Sequence, residues 1–337
     1  MSVWKLILRV CVGAGMFGYL LFKHGVDLYE VFDKVRQVPP GYVFGALALY
    51  ASGQLLCAYR WGGLSALAGN KVSFERVSTV YFSGMFFNMC LPTSIGGDVV
   101  RVVGLSRQTG SKTKALASVF MDRNIGLSAL LCIGLAASVI SSACIDVKIL
   151  GRHPVWPLFA LLLPAYLVAN TVLFSAAFCA AVTRFSEQFR IGFVGRKVEK
   201  LHASLQAYKK PLGQYAFMFL YSFIYQISEI TVVCLLARGL GIDVSAWVFF
   251  ALVPFQALAC LLPITFSGVG VREAIFCAVL KGQLGDLPQV RSEAMALSLI
   301  FFGVVVLASL AGGVVYMASG MPRPSIAETG AMAKAGE

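Results

Sequence analysis

Asp98 and Arg101 follow one proline–glycine segment of this chain, and Arg272 and Glu273 follow another. A helix that begins just after such a segment points its free amides and positive dipole end back into the break. An arginine beside those amides can fork onto a phosphate or a carboxylate. Gly96, Gly97, Gly268 and Gly270 supply backbone that a ligand could approach closely. The competing reading is local, since Asp98 and Arg101 stand at i and i+3 and can neutralise one another. The binding reading is favoured because both segments present an arginine at the same offset.

Three further ionisable residues fall inside apolar runs. Asp122 and Arg123 are neighbours in a run over 115–141. Adjacent helical residues point about 100° apart, so each must find a partner elsewhere. Arg123 could equally snorkel to the interface. Glu229 sits mid-run in 212–236, on a polar stripe with Tyr221, Ser222, Tyr225, Gln226 and Ser228, which should face protein or water. The candidate binding set is therefore Gly96, Gly97, Asp98, Arg101, Asp122, Arg123, Glu229, Gly268, Gly270, Arg272 and Glu273.

The elements holding these residues belong to a membrane protein. Of 337 residues 58% are hydrophobic and 13% charged, and the mean hydropathy is +0.79. Soluble domains carry about 25% charged residues. Apolar runs long enough to cross a bilayer are expected at 6–22, 42–59, 115–141, 155–183, 212–236 and 292–318. A polar stretch over about 185–210 reads as an interfacial amphipathic helix, and residues 320–337 as a disordered cytoplasmic tail. Residues 1–319 are expected to form one transmembrane domain.

Two regions do not fit as plain spans. Residues 77–106 and 246–281 are apolar up to Leu91-Pro92 and Leu262-Pro263, then turn glycine-rich. Proline removes a helix hydrogen bond and glycine frees the backbone, so both helices should break. Broken backbone at membrane depth is tolerated only inside protein or against a wet cavity. Reading both regions as re-entrant hairpins, with cytoplasmic termini, puts ten net positive charges on the inner loops and one on the outer loops, as the positive-inside rule requires.

The breaks resemble each other. Aligning Leu91-Pro92 with Leu262-Pro263 also matches Gly97 with Gly268, Val100 with Val271 and Arg101 with Arg272, five identities in eleven positions. The flanking spans make a first unit over about 42–141 and a second over about 212–318, with the same parts in opposite orientation. The expected fold is all-α and polytopic, with about six transmembrane helices and two re-entrant helical hairpins in an inverted repeat. That architecture belongs to secondary transporters.

Other classes are disfavoured. The net charge of +12 is scattered over short loops, so anionic lipid headgroups rather than nucleic acid are the expected counterpart. The nine cysteines contain no C-x-x-C and the three histidines are dispersed, so neither a metal site nor a cofactor is expected. Gly13–Gly18 fits G-x-G-x-x-G but lies within an apolar run with no preceding strand, where small residues serve helix packing. No hydrolase, metalloprotease or Walker motif is present, and an enzyme is not expected.

The string from Asn88 to Arg101, the string Ala117-Ser118-Val119-Phe120-Met121-Asp122-Arg123-Asn124-Ile125-Gly126-Leu127, and the segment Pro263 to Glu273 resemble, in this order, the lysylphosphatidylglycerol synthase transmembrane family. The resemblance covers nearly the whole chain and implies a flippase-type fold without the soluble aminoacyl-transferase domain. It implies a phospholipid or polyprenyl-linked lipid with an anionic or zwitterionic headgroup as substrate, in the cytoplasmic (inner) membrane. Arg101 and Arg272 would then bind phosphate, while Asp98, Glu273 and Glu229 would take cationic headgroup parts or protons. A non-transporting partner of a lipid-synthesising or glycosyltransferase enzyme is the alternative, a lipid-modifying enzyme a weaker one, and a homo-oligomer is compatible with each.

Overall fold

The computed structural model describes residues 28–70, 72–90, 96–144, 148–149, 153–189, 192–209, 212–262, 265 and 268–319, with 11, 15, 18 and 19 near the start. The expected first span over 6–22 and the tail from 320 lie largely or wholly outside the described residues, as do 91–95 and most of 263–267 within the two breaks.

Among the described residues twelve α-helices run in order: α1 Leu28–Gln37, α2 Pro40–Leu67, α3 Phe74–Cys90, α4 Gly96–Thr109, α5 Lys112–Cys144, α6 Trp156–Leu173, α7 Ala176–Gln188, α8 Gly192–Gln206, α9 Leu212–Gly239, α10 Ala246–Leu261, α11 Val271–Leu284 and α12 Pro288–Ala318. Between α5 and α6, Lys148–Ile149 (β1) pairs antiparallel with His153–Pro154 (β2). Among the described residues five helices are long and apolar enough to cross a membrane: α2, α5, α6, α9 and α12. This is a helical, polytopic membrane protein.

The remaining core helices are short. α3 and α4 have 17 and 14 residues, and α10 and α11 have 16 and 14, against the ~20 a span requires. α3 and α4 pack antiparallel: a methyl group on Gly84 would lie 3.0 Å from the Gly97 carbonyl oxygen, and one on Gly104 would lie 2.9 Å from Val80 Cγ1. α10 also packs against α11.

The four-helix series is present twice. Helices beginning at 40, 74, 96 and 112 recur in order and similar length at 212, 246, 271 and 288. Their packing is also exchanged. α3 lies on α12 and α10 on α5; α5 lies on α9 and α12 on α2. The equivalent helices α2 and α9 pack directly against each other and run antiparallel, Gly45 beside Leu235, Gly53 beside Ser228 and Gly63 beside Met218. Two equivalent antiparallel helices in contact place the relating axis perpendicular to both.

Four boundaries differ from the sequence expectation. The run over 155–183 is two helices, because Ser175 Oγ accepts from Phe178 N at 3.1 Å and caps a new start. The stretch over 23–41 between the first two expected spans contains α1, tied to α12 by Lys34 Nζ to Glu293 at 3.0 Å and Ser292 Oγ to Glu30 at 2.8 Å. The last span starts at Pro288, not 292. Arg60, which falls just past the expected run over 42–59 and so is one of the ten inner-loop charges, lies within α2 and is 6% exposed; the loop after it keeps one net positive charge. The apolar surface left open fits lipid as its solvent: in α6 only Phe159 is buried, while Leu161, Leu167 and Val168 are exposed.

Candidate functional site

α4 begins where Gly97 donates its amide to Asn88 Oδ1 at 2.8 Å. A methyl group on Gly97 would stand 2.0 Å from the Gly84 carbonyl oxygen, so only glycine permits α3 and α4 to meet there. At the second break, Gly270 (φ 88°) donates its amide to Glu273 Oε2 at 2.6 Å, capping α11. Gly268 (φ 73°) lies against Cys260. Gly96 is buried. The glycines thus serve close packing and caps, and one amide at each helix start is already engaged by a side chain.

One turn into α4, Arg101 is 4% exposed. Its Nη2 donates to Asp122 Oδ2 at 2.6 Å and its Nη1 to Asp98 Oδ1 at 3.4 Å. Its guanidinium lies 4.2 Å from the Trp61 ring centroid and 5.0 Å from that of Tyr81, a cation–π cage. Arg60 approaches Asp122 from α2, donating through Nε at 2.9 Å and to Ser222 Oγ at 2.9 Å. Arg123 turns the other way, donating through Nε and Nη2 to Asp98 at 2.9 and 3.0 Å. Asp122 and Arg123 are adjacent in sequence but answer different partners, as their divergent directions on the helix require.

These five residues form an alternating row, Arg60, Asp122, Arg101, Asp98, Arg123, with one positive charge in excess. It ends at Arg123, whose side chain is 51% exposed while that of Asp122 is 4% exposed. Removing one partner of such a buried pair strands the other without water or counter-charge. The interior of the row is therefore a brace, and its outer end is reachable by a ligand.

The second half repeats the arrangement with different chemistry. Arg272 Nε donates to Ser298 Oγ at 2.9 Å and Nη2 to Glu273 Oε1 at 2.8 Å, and the guanidinium lies 4.4 Å from the Phe302 centroid. Ser298 Oγ donates to Glu273 Oε1 at 2.9 Å. Ser298 is the eleventh residue of α12, as Asp122 is of α5. The position that carries a carboxylate for Arg101 carries a hydroxyl for Arg272. Glu273 is 1% exposed and shared among Arg272, Ser298 and the α11 cap, so it supports Arg272 from behind.

Both arginines face one cavity of about 420 Å³, lined also by Arg60, Asp122, Arg123 and Glu229. That volume lies within the range of small-molecule sites. A hydrogen-bonded chain, Tyr81 Oη to Gln54 Oε1 at 2.9 Å and Gln54 Nε2 to Tyr225 Oη at 3.3 Å, runs along its wall. Met85, Leu127, Leu130 and Val305 supply apolar wall. Of the candidate set, Arg101, Asp122, Arg123, Glu229 and Arg272 line the cavity, while Asp98, Glu273 and the four glycines stand behind it. Sequence reasoning missed Arg60, Gln54, Tyr81 and Ser298. Gln54 and Tyr81 carry a signal, a polar group inside an apolar run, whereas Arg60 closes its run and reads as a loop charge. Among the described residues no His, Cys, Asp and Glu group could hold a metal ion.

The chain is similar to UPF0104 membrane protein PH1989 of Pyrococcus horikoshii, 27% identical over 122 residues, 35% of this chain and 36% of that protein. The match thus spans about a third of that relative's length. Residues 6–313 match the lysylphosphatidylglycerol synthase TM region, a stretch that takes in the first helical unit, the second up to the last residues of α12, and every residue lining the cavity. With the whole candidate site inside that stretch, the chain belongs to the lysylphosphatidylglycerol synthase transmembrane-region family.

Proposed function

We propose that this chain is a lipid flippase or transporter that passes an anionic or zwitterionic phospholipid or polyprenyl-linked headgroup through the cavity between its two helical units. The observation that carries the reading is that Arg101 and Arg272, at equivalent places in the two units, line the same cavity. A phosphate entering it would meet the exposed end of Arg123 and the Arg272 fork, while its acyl or prenyl chains stayed in lipid. Neutralised Arg101 would hold the frame.

In this reading α3–α4 and α10–α11 are re-entrant hairpins, and the antiparallel α2–α9 contact supports an inverted repeat whose axis lies in the membrane plane. Exchange of the two units' packing would open the cavity to alternate sides. The loop charges, corrected for Arg60, support cytoplasmic ends and placement in the inner membrane. α8 would lie at the cytoplasmic interface, residues 1–319 would act as one domain with 320–337 as its tail, and no bond-making chemistry is assigned to the chain.

The test is reconstitution of the full chain into liposomes carrying a trace of head-labelled phosphatidylglycerol, with an impermeant reductant bleaching the outer leaflet. Protein-dependent loss of the protected label, reduced at least tenfold by Arg272→Ala, is expected. Protein-free rates with correctly folded protein, across phosphatidylglycerol, phosphatidylethanolamine and a polyprenyl phosphate, would overturn the proposal.

A further inference from the structure

Four positive and four negative side chains make up the cavity lining and its ion-pair partners. Arg60, Arg101, Arg123 and Arg272 face Asp98, Asp122, Glu229 and Glu273. Three of the acids are held by arginine: Asp122 by Arg60 and Arg101, Asp98 by Arg101 and Arg123, Glu273 by Arg272. Glu229 differs. It lines the cavity from α9, and among the described residues no Lys, Arg or His nitrogen lies within ion-pair distance of it.

What faces Glu229 is neutral. Tyr225 lies one turn earlier on its own helix, and Tyr50 and Cys57 come from α2, all near enough to feel its charge. Ala257 and Leu261 line the cavity from α10, and Phe302, Val305 and Ser309 from α12. Titratable and charged groups reach the rest of the wall from α2 (Arg60), α3 (Tyr81), α4 (Arg101), α5 (Asp122 and Arg123) and α11 (Arg272). Tyrosine and cysteine ordinarily keep their protons near neutral pH, and each of the other three acids is tied to an arginine. Among the described residues that leaves Glu229 as the cavity carboxylate with no cationic partner.

Charge balance then sets what the exchange does. With Glu229 ionised the eight charges cancel; with Glu229 protonated the site carries one positive charge in excess. A net charge held in a low-dielectric site is costly, so a monoanionic phosphodiester and a proton on Glu229 favour one another. Resting on the lipid reading above, we infer that Glu229 is the proton-coupling group of this site, taking up one proton as a monoanionic lipid headgroup binds and releasing it as the headgroup leaves. The step is simple protonation: a hydronium ion from bulk solvent gives its proton to the carboxylate, so one O–H bond of the donor breaks to leave water and one O–H bond forms on the neutral carboxyl. Linkage makes the coupling reciprocal, so headgroup binding draws in the proton as strongly as the proton draws in the headgroup.

The test uses purified full-length protein in detergent with dihexanoyl phosphatidylglycerol as a soluble monoanionic probe. Affinity and proton uptake are read together by calorimetry in buffers of different ionisation enthalpy between pH 5 and 9. Wild-type protein should take up about one proton per probe bound, and its affinity should rise by up to about tenfold per unit of falling pH over the titrating range. Glu229→Gln, fixed neutral, should bind at pH 8 at least tenfold more tightly than wild type, with no uptake and no pH slope. Glu229→Asp should keep the uptake. Binding by wild type and E229Q with equal proton uptake, or with none, would overturn the coupling and leave the lipid reading standing. No binding by folded wild type, E229Q or E229D at any pH would overturn both.

Discussion

The side chain of Asp122 receives Arg101 Nη2 at 2.6 Å, and that bond joins the helix following the first break to the long helix α5. The same carboxylate takes Arg60 from α2, so one buried acid ties three helices at the floor of the cavity. A position with this many dependants should be unforgiving. Asp122→Ala leaves Arg60 and Arg101 short of counter-charge and should cost about 3–5 kcal/mol, the range for breaking a buried pair. A large fall in the unfolding temperature in detergent is the expected result, and a change of a degree or less would refute it.

Arg123 should behave in the opposite way, although it is the next residue. Its side chain is 51% exposed, and its bonds to Asp98 close only the outer end of the row. Exposed pairs contribute about 0–1 kcal/mol, so Arg123→Ala should unfold near the wild-type temperature. If the cavity binds anionic headgroups, the same variant should weaken phosphatidylglycerol binding severalfold. Binding that stays at the wild-type level would remove Arg123 from the site.

The glycines at the breaks are predicted to answer to packing. Gly97→Ala sets a methyl group 2.0 Å from the Gly84 carbonyl oxygen, and Gly312→Ala sets one 2.3 Å from that of Phe82. Backbone on both sides cannot move aside cheaply, and overpacking of this kind costs about 1–3 kcal/mol or more. Gly303, in the same helix as Gly312, has nothing within 4 Å of the added methyl. Gly303→Ala should therefore be neutral or stabilising, by up to about 1 kcal/mol. Thermal unfolding of the three variants side by side separates the cases, and equal losses would refute the packing reading.

How far the sequence carried this reading depends on whether a signal is local. The breaks were legible because proline and glycine act on their own backbone, and Asp122 with Arg123 because adjacent helical residues must diverge. The match of Arg101 with Arg272 was legible because the duplication survives as identity. Arg60 was not, since a basic residue closing an apolar run looks like a loop charge; only the fold brings Asp122, 62 positions away, beside it. Ser298 was hidden for another reason. Serine is common in apolar helices, and its equivalence to Asp122 emerges only when both helices are laid from their starts. The caps on Gly97 and Gly270 were hidden too, because a free amide and one engaged by Asn88 or Glu273 read alike in one dimension.

The proposed orientation makes a prediction independent of any substrate. The turn before α12 and the turn after α4 should lie on opposite faces of the membrane, the first outside and the second inside. Leu287, 57% exposed, and Gln108, also exposed, are reporters that carry none of the ion pairs described above. Cys11 and Cys90, the exposed native cysteines among the described residues, would first be replaced. Leu287→Cys in intact cells should then react with a membrane-impermeant maleimide, and Gln108→Cys should react only after the cells are opened. The α11–α12 turn offers a check on the state of that loop. Asp286 accepts hydrogen bonds from Lys281 and Arg291, which hold its carboxyl below the usual range. Its folded-state pKa is thus the lower one, so its contribution is present above the unfolded carboxylate pKa and fades as pH falls through the folded value. Labelling of Leu287→Cys relative to a free thiol should therefore stay constant from neutral pH down to about pH 5. Labelling of both cysteines from the same side would refute the inverted arrangement, whatever lipid the cavity takes.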